Sequence, residues 1–178
     1  MGTRNSGYER KERDLYETPE WVTKALIPHI PQSVFRVWEP ACGSGKMVRV
    51  LAEYFDQVTG TDIHETCHDY LQTKPLRVDA IITNPPFHLA DKFIEKALSE
   101  APFVAMLLRS DFDSAKSRQH LFRNNERFRK KVVLLKRIAW FVDETTGKPK
   151  ASPSTNHAWY IWWNASFTGS YPYIEYAP

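Results

Sequence analysis

Between residues 34 and 108, short apolar runs alternate with segments of helical period, and this constrains the fold more than any other feature. VFRVWEP (34–40) reads as a strand. It is followed by a small-residue turn, ACGSG (41–45), and a helical stretch, KMVRVLAEYF (46–55). QVTGTDI (57–63) and RVDAIITN (77–84) read as further strands. HLADKFIEKALSEA (88–101) carries Leu89, Phe93, Ile94, Ala97 and Leu98 at helical spacing, and PFVAMLL (102–108) is another strand. RVDAIITN, nearly all apolar toward its end, and PFVAMLL are expected to be buried strands, as in parallel sheets. Separated by helices, they join through right-handed crossovers. The predicted class is α/β.

The flanks complete the pattern. TPEWVTKALIPHI (18–30) predicts an amphipathic helix with Thr18 as N-cap and Pro19 at its first position. HETCHDYLQTKP (64–75) is short and irregular. DSAKSRQHLFRNNERF (113–128) predicts a helix, and KKVVLLKRIAWFV (130–142) a long strand. After a polar loop (143–156), HAWYIWWNA (157–165) returns, so the last two predicted strands form an antiparallel hairpin closing the sheet. The chain of 178 residues, 42% hydrophobic and 25% charged, has the size and composition of one globular domain, with residues 1–14 expected to be a flexible leader. Runs such as FVAMLL and AWYIWW are too short to span a bilayer. The charged start has no apolar stretch behind it, so a cytoplasmic protein is expected. Cys42 and Cys67 are too few for a disulfide framework.

The turn in WEPACGSGKM ends like a triphosphate-binding loop, but Pro40 stands in the first glycine's place and Met47 in the hydroxyl's. It also fails as a dinucleotide fingerprint, because Val48 occupies the last glycine's place. What remains is an acid, Glu39, at a strand end, then two glycines, Gly43 and Gly45, that let a ligand approach the backbone. Asp62 lies at the end of the next strand, where an acid commonly grips ribose hydroxyls. Each acid alone is as easily ordinary surface; together with the turn they point to a cofactor.

The succession WEPACGSG, TD, HDYL and ITNPPF resembles class I S-adenosylmethionine-dependent methyltransferases that modify exocyclic amines, and in particular the DNA N6-adenine methyltransferases with an N-P-P-[FY] signature. The resemblance spans roughly residues 16–110 and implies a Rossmann-like three-layer fold with S-adenosyl-L-methionine as cofactor. It implies that Gly43 and Gly45 line the methionine moiety beside Pro40, with Glu39 near its ammonium group. By the same resemblance Asp62 would hold the ribose beside Ile63, and Asp69 the adenine amine, with Tyr70 beside that ring. The resemblance also implies that Tyr16, Thr18 and Pro19 would lie against the cofactor carboxylate. One departure stands out: the short span between Asp62 and Asp69 leaves no room for the usual helix and strand, so a truncated sheet edge is expected near residues 63–77. No separate target-recognition domain is expected.

Catalysis is expected to fall to Asn84, Pro85, Pro86 and Phe87. The amine of adenine is conjugated with its ring and is a poor nucleophile. If the Asn84 side-chain oxygen and the Pro85 carbonyl each accept an N–H, they favour the tetrahedral, positive nitrogen that forms as the methyl arrives. The prolines stiffen the corner, and Phe87 stacks on the base. This needs no metal, and no convincing ligand cluster is visible. His29, His88 and His157 read as surface or interfacial residues. Trp38, Trp140, Trp159, Trp162 and Trp163 read mostly as core, with alternation in AWYIWW leaving room for one ring to reach a substrate.

Net charge is +3, but residues 109–150 hold twelve Lys and Arg against five Asp and Glu. This is either a solvated face or a phosphate-binding one, with Arg109, Lys116, Arg118, Lys148 and Lys150 as candidate nucleic-acid contacts. The expected activity is methylation of the adenine amine in nucleic acid, DNA ahead of RNA, with base flipping where the target is paired. Two alternatives stay open: methylation of a protein glutamine amide or a guanine amine in ribosomal RNA, and a non-catalytic cofactor-binding partner subunit.

Overall fold

In a computed structural model, residues 16–123, 125–143, 145–146, 148–150, 152–164 and 173–177 are described. Residues 1–14, expected as a leader, lie outside them. Among the described residues the core is one sheet of seven strands: β1 (Arg36–Glu39), β2 (Gln57–Gly60), β3 (Ala80–Thr83), β4 (Phe103–Arg109), β5 (Phe128–Leu134), β6 (His157–Trp163) and β7 (Tyr173–Ala177), in the order β2-β1-β3-β4-β6-β5-β7. β2, β1, β3 and β4 run parallel, while β6 is antiparallel to both β4 and β5.

Helices α1 (Glu20–Leu26) and α2 (Lys46–Leu51) cover one face, where Val22, Leu26, Met47 and Leu51 pack on Ile82, Leu107 and Trp159. Helix α3 (Ala90–Glu100) covers the other, with Phe93, Ile94 and Ala97 against Ile81, Met106 and Trp162. The central strands are therefore apolar on both sides; all four residues of β3 and six of the seven in β6 are buried. Trp38, Trp159 and Trp162 are core residues, and each places its indole N–H: on Thr61 Oγ1, Val22 O and Leu121 O. This is the predicted three-layer α/β fold. Its edge is truncated as expected, since residues 63–77 contribute no strand and β2 ends the sheet.

Four expectations change. Pro19 occupies the N-cap position of α1, and Thr18 is buried without capping the helix. Among the described residues of 113–128 no α-helix forms. The segment makes short 3-10 turns, because its polar side chains satisfy nearby backbone instead: Ser114 Oγ donates to Asp111 O, and Ser117 O bonds His120. Phe112, in the first turn, and Leu121 and Phe122, after the second, drop into the core. The strand expected over 130–142 is β5 and stops at Leu134. Beyond it residues 141–143 pair with residues 148–150, with Val142 bridged to Pro149 and the Lys150 N–H bonded to Phe141 O. The β5–β6 hairpin exists but does not close the sheet, since β7 adds outside β5 and parallel to it.

Candidate functional site

The chain passes from β1 to β2 on one side and returns to β3 on the other, with α2 and α3 on opposite faces. A crevice opens beyond the carboxyl ends of β1 and β3, where open α/β sheets hold their ligands. It encloses about 900 Å³, near the upper end of typical ligand sites and room enough for a nucleoside cofactor and a base.

One wall is the glycine turn. Gly43 (φ 50°) and Gly45 (φ 83°) lie in the left-handed region that glycine alone adopts freely. The Cys42 N–H donates to Thr61 O and the Gly45 N–H to Cys42 O, closing the loop ahead of α2. Gly60 lies beneath; a Cβ there would stand 2.7 Å from Val48 Cγ2. Burial pushes the Cys42 thiol up to about 11, so it stays protonated.

Glu39, Glu17, Asp62, Glu65 and Asp69 line the crevice against a single lysine, Lys46, which suits a cationic ligand. Glu39 is 1% exposed and accepts the Ala41 N–H (3.2 Å). Burial pushes its carboxyl up to about 8, with the nearby Asp62 charge adding to the rise. The Asp62 carboxylate accepts the backbone N–H groups of Gly43 (3.0 Å) and His64 (2.8 Å), so it braces the turn as well as lining the cavity. Ile63 is 54% exposed beside it. Asp69 accepts the Leu71 N–H. Tyr70 lines the crevice but is 2% exposed; its ring packs on Trp38 and Phe93 and its hydroxyl donates to Glu100, making it chiefly a core residue.

The facing wall is Asn84–Phe87. The Asn84 side-chain NH₂ donates to Tyr16 O (2.9 Å). A carbonyl can only accept, so this bond fixes which end of the amide is which. Asn84 Oδ1 is buried and bonds to nothing among the described residues. The Pro86 carbonyl accepts the Leu89 N–H, and Phe87 is 40% exposed. The Tyr16 ring packs against Phe87, Trp140 and Phe141 at centroid distances of 5.7, 5.5 and 5.5 Å. His157 sits behind them, 5.1 Å from Trp140 and 2% exposed; burial pulls its ring down to about 4, so it is neutral.

The crevice thus gathers Tyr16, Thr18, Glu39, Pro40, Gly43, Asp62, Ile63, Asp69, Tyr70 and all of Asn84–Phe87. Pro19 and Gly45 fall outside its lining, as caps of α1 and α2. None of the five candidate nucleic-acid contacts lines it. Arg109 is held bidentately by Asp111, and Arg118 lies on Asp91 and over the Phe112 ring, while Lys116, Lys148 and Lys150 are exposed. Glu17 and Lys46 were missed by sequence reasoning. They pair at 2.7 Å, and Glu17 also accepts from the Ser44 hydroxyl. Among the described residues no group of three or more His, Cys, Asp or Glu has metal-binding geometry, and no helix is long and apolar enough to cross a membrane.

Sheet order, crevice and glycine turn make a Rossmann-like α/β fold, the fold of the solved methyltransferases on which the chain superposes. The chain superposes on the 23S rRNA methyltransferase ErmE with a TM-score of 0.56, 16% identity, and coverage of 84% of this chain and 69% of that one. For a type I restriction-modification methyltransferase subunit from Streptococcus thermophilus the values are 0.57, 12%, 84% and 44%. For a modification subunit of a putative type I restriction enzyme from Vibrio vulnificus YJ016 they are 0.55, 15%, 96% and 50%. The chain thus spans half or less of these two restriction-modification subunits. No protein-family model matches the sequence, and no curated protein matches it.

Proposed function

We propose that this chain is an S-adenosylmethionine-dependent methyltransferase acting on the exocyclic amine of adenine in nucleic acid, DNA ahead of RNA, in the cytoplasm. The observation that carries the proposal is the Asn84 oxygen. It is buried, has no hydrogen-bond partner among the described residues and is oriented by the Tyr16 carbonyl, on a wall facing an acid-lined glycine turn. A buried acceptor without a donor costs roughly 1 to 3 kcal/mol; an amine donor entering the crevice removes that cost.

Glu39, Asp62, Ile63 and the Gly43 backbone would hold the cofactor, and the excess of carboxylates suits its ammonium and sulfonium charges. When bound, it supplies an electrophilic methyl group. Asn84 Oδ1 and the Pro85 carbonyl each accept one N–H of the target amine. That draws the nitrogen toward the tetrahedral form in which its lone pair is available. Preorganised groups of this kind contribute on the order of 10² to 10³ in rate each. Phe87 offers its exposed face to the base, a contact of roughly 1 to 3 kcal/mol. The likeness in fold to an rRNA methyltransferase and to restriction-modification subunits supports nucleic acid as the substrate class.

The test is incubation with methyl-labelled cofactor and unmodified DNA, RNA and protein extract, then digestion. Label on adenine N6 is expected. Label only on a glutamine amide or a guanine amine would replace the substrate assignment, and cofactor binding without transfer would make the chain a partner subunit.

A further inference from the structure

Residues Tyr16, Glu17 and Thr18 cross the crevice as a strap touching both walls, and all three line it. On the catalytic side the Tyr16 carbonyl accepts the Asn84 NH₂ (2.9 Å), and the Tyr16 ring rests on Phe87. On the other side the Glu17 carboxylate accepts from the Ser44 hydroxyl, between the two turn glycines, and pairs with Lys46 Nζ at 2.7 Å. Downstream, the strap is rooted by buried Thr18 and by α1, whose Val22 and Leu26 are fully buried. Burial alone would push the Glu17 carboxyl up, but the bonds from Lys46 and Ser44 outweigh it and hold the carboxyl below its usual range, so it is ionised at neutral pH.

The amide of Asn84 has two ends of similar shape and opposite hydrogen-bonding character. Its oxygen faces an incoming amine only while the Tyr16 carbonyl holds its nitrogen. That carbonyl belongs to residues 16–19, which form neither helix nor strand, and Glu17 is the residue next to it.

We propose that Glu17 is a positioning residue for Asn84: by tying the strap to Ser44 and Lys46 on the glycine turn, it keeps the Tyr16 carbonyl where it orients the Asn84 amide. The inference rests on the methyltransferase reading for its purpose, but its geometry stands independently. It makes the amine-accepting oxygen depend on the wall that receives the cofactor.

The test reads the Asn84 side-chain amide directly. In asparagine-labelled protein its NH₂ resonances are assigned by their disappearance in Asn84→Ala, and their hydrogen exchange is measured in wild type, Glu17→Ala and Glu17→Gln. Glu17→Ala is expected to speed exchange of the Asn84 NH₂ at least tenfold without lowering the melting temperature appreciably. Glu17→Gln keeps an oxygen for Ser44 and is expected to stay near wild type. In methyl transfer, Glu17→Ala is expected to lose about tenfold in kcat with cofactor Kd changed less than threefold. An unchanged Asn84 signal in Glu17→Ala would overturn the inference, as would a loss confined to cofactor Kd, which would make Glu17 a direct ligand contact. If wild type transfers no methyl to any substrate, the functional reading falls while the amide measurement still decides this one.

Discussion

Replacing Glu39 with Gln should change how stability depends on pH. The Glu39 carboxyl is 1% exposed and burial raises it from 4.5 to about 8. Between those values the folded chain keeps a proton that the unfolded chain has released, so stability falls as pH rises and levels off above 8. His157 acts in the opposite sense. Its ring is lowered from 6.5 to about 4, so across that window the unfolded chain holds the extra proton and stability rises with pH. From 4.5 to 6.5 the two slopes nearly cancel, each near 1.4 kcal/mol per pH step. From 6.5 to 8 only Glu39 remains, and the wild-type protein should lose roughly 1.5 kcal/mol. Urea unfolding followed by circular dichroism at several pH values measures this. Glu39→Gln, which keeps an acceptor for the Ala41 N–H, should remove the decline. A wild-type curve flat from 6.5 to 8, or a decline that survives the substitution, would refute the buried-acid argument. A cationic cofactor should favour the ionised form, so its binding near pH 7 should release a proton, visible by calorimetry in buffers of different ionisation heat.

Three further outcomes follow from packing and hydrogen bonding. Asp62→Ala strips the Gly43 and His64 N–H groups of their acceptor and should cost about 1 to 3 kcal/mol in urea unfolding together with cofactor affinity; affinity lost at unchanged stability would mean the carboxylate does not brace the turn. Gly60→Ala puts a Cβ 2.7 Å from Val48 Cγ2 and 3.2 Å from the Cys42 Cβ, and should destabilise by about 1 to 3 kcal/mol; an unchanged melting temperature would contradict the close approach. Arg127→Met removes the donors to Leu98 O, Ala101 O and Pro102 O behind α3, and should lower the thermal midpoint by a loss of about 1 to 3 kcal/mol while leaving cofactor affinity intact.

Much of the fold was legible because local pattern and tertiary burial agree. β1, β3, β4 and α3 are short, strongly patterned segments, and Gly43 and Gly45 are glycines for a backbone reason that a sequence displays. The NPPF corner was legible because two prolines after an apolar strand leave few conformations. What the sequence hid depends on partners distant in the chain. The segment over 113–128 reads as a helix, yet the Ser114 hydroxyl and the His120 ring bond nearby backbone carbonyls and the segment folds as turns. Trp140 and Phe141 read as the end of a strand, but they leave the sheet to pack on Tyr16. Glu17 carries no local signal at all; its partners, Ser44 and Lys46, meet it only once α1 and α2 are docked.

The most direct measurement of the central claim is a single-turnover comparison of wild type and Asn84→Ala transferring labelled methyl to adenine-containing oligonucleotides, with the product base identified after digestion. Wild type should label adenine N6, and the variant should be slower by about 10² to 10³ with cofactor affinity retained. An equal rate in the variant, or label on another atom, would contradict the account.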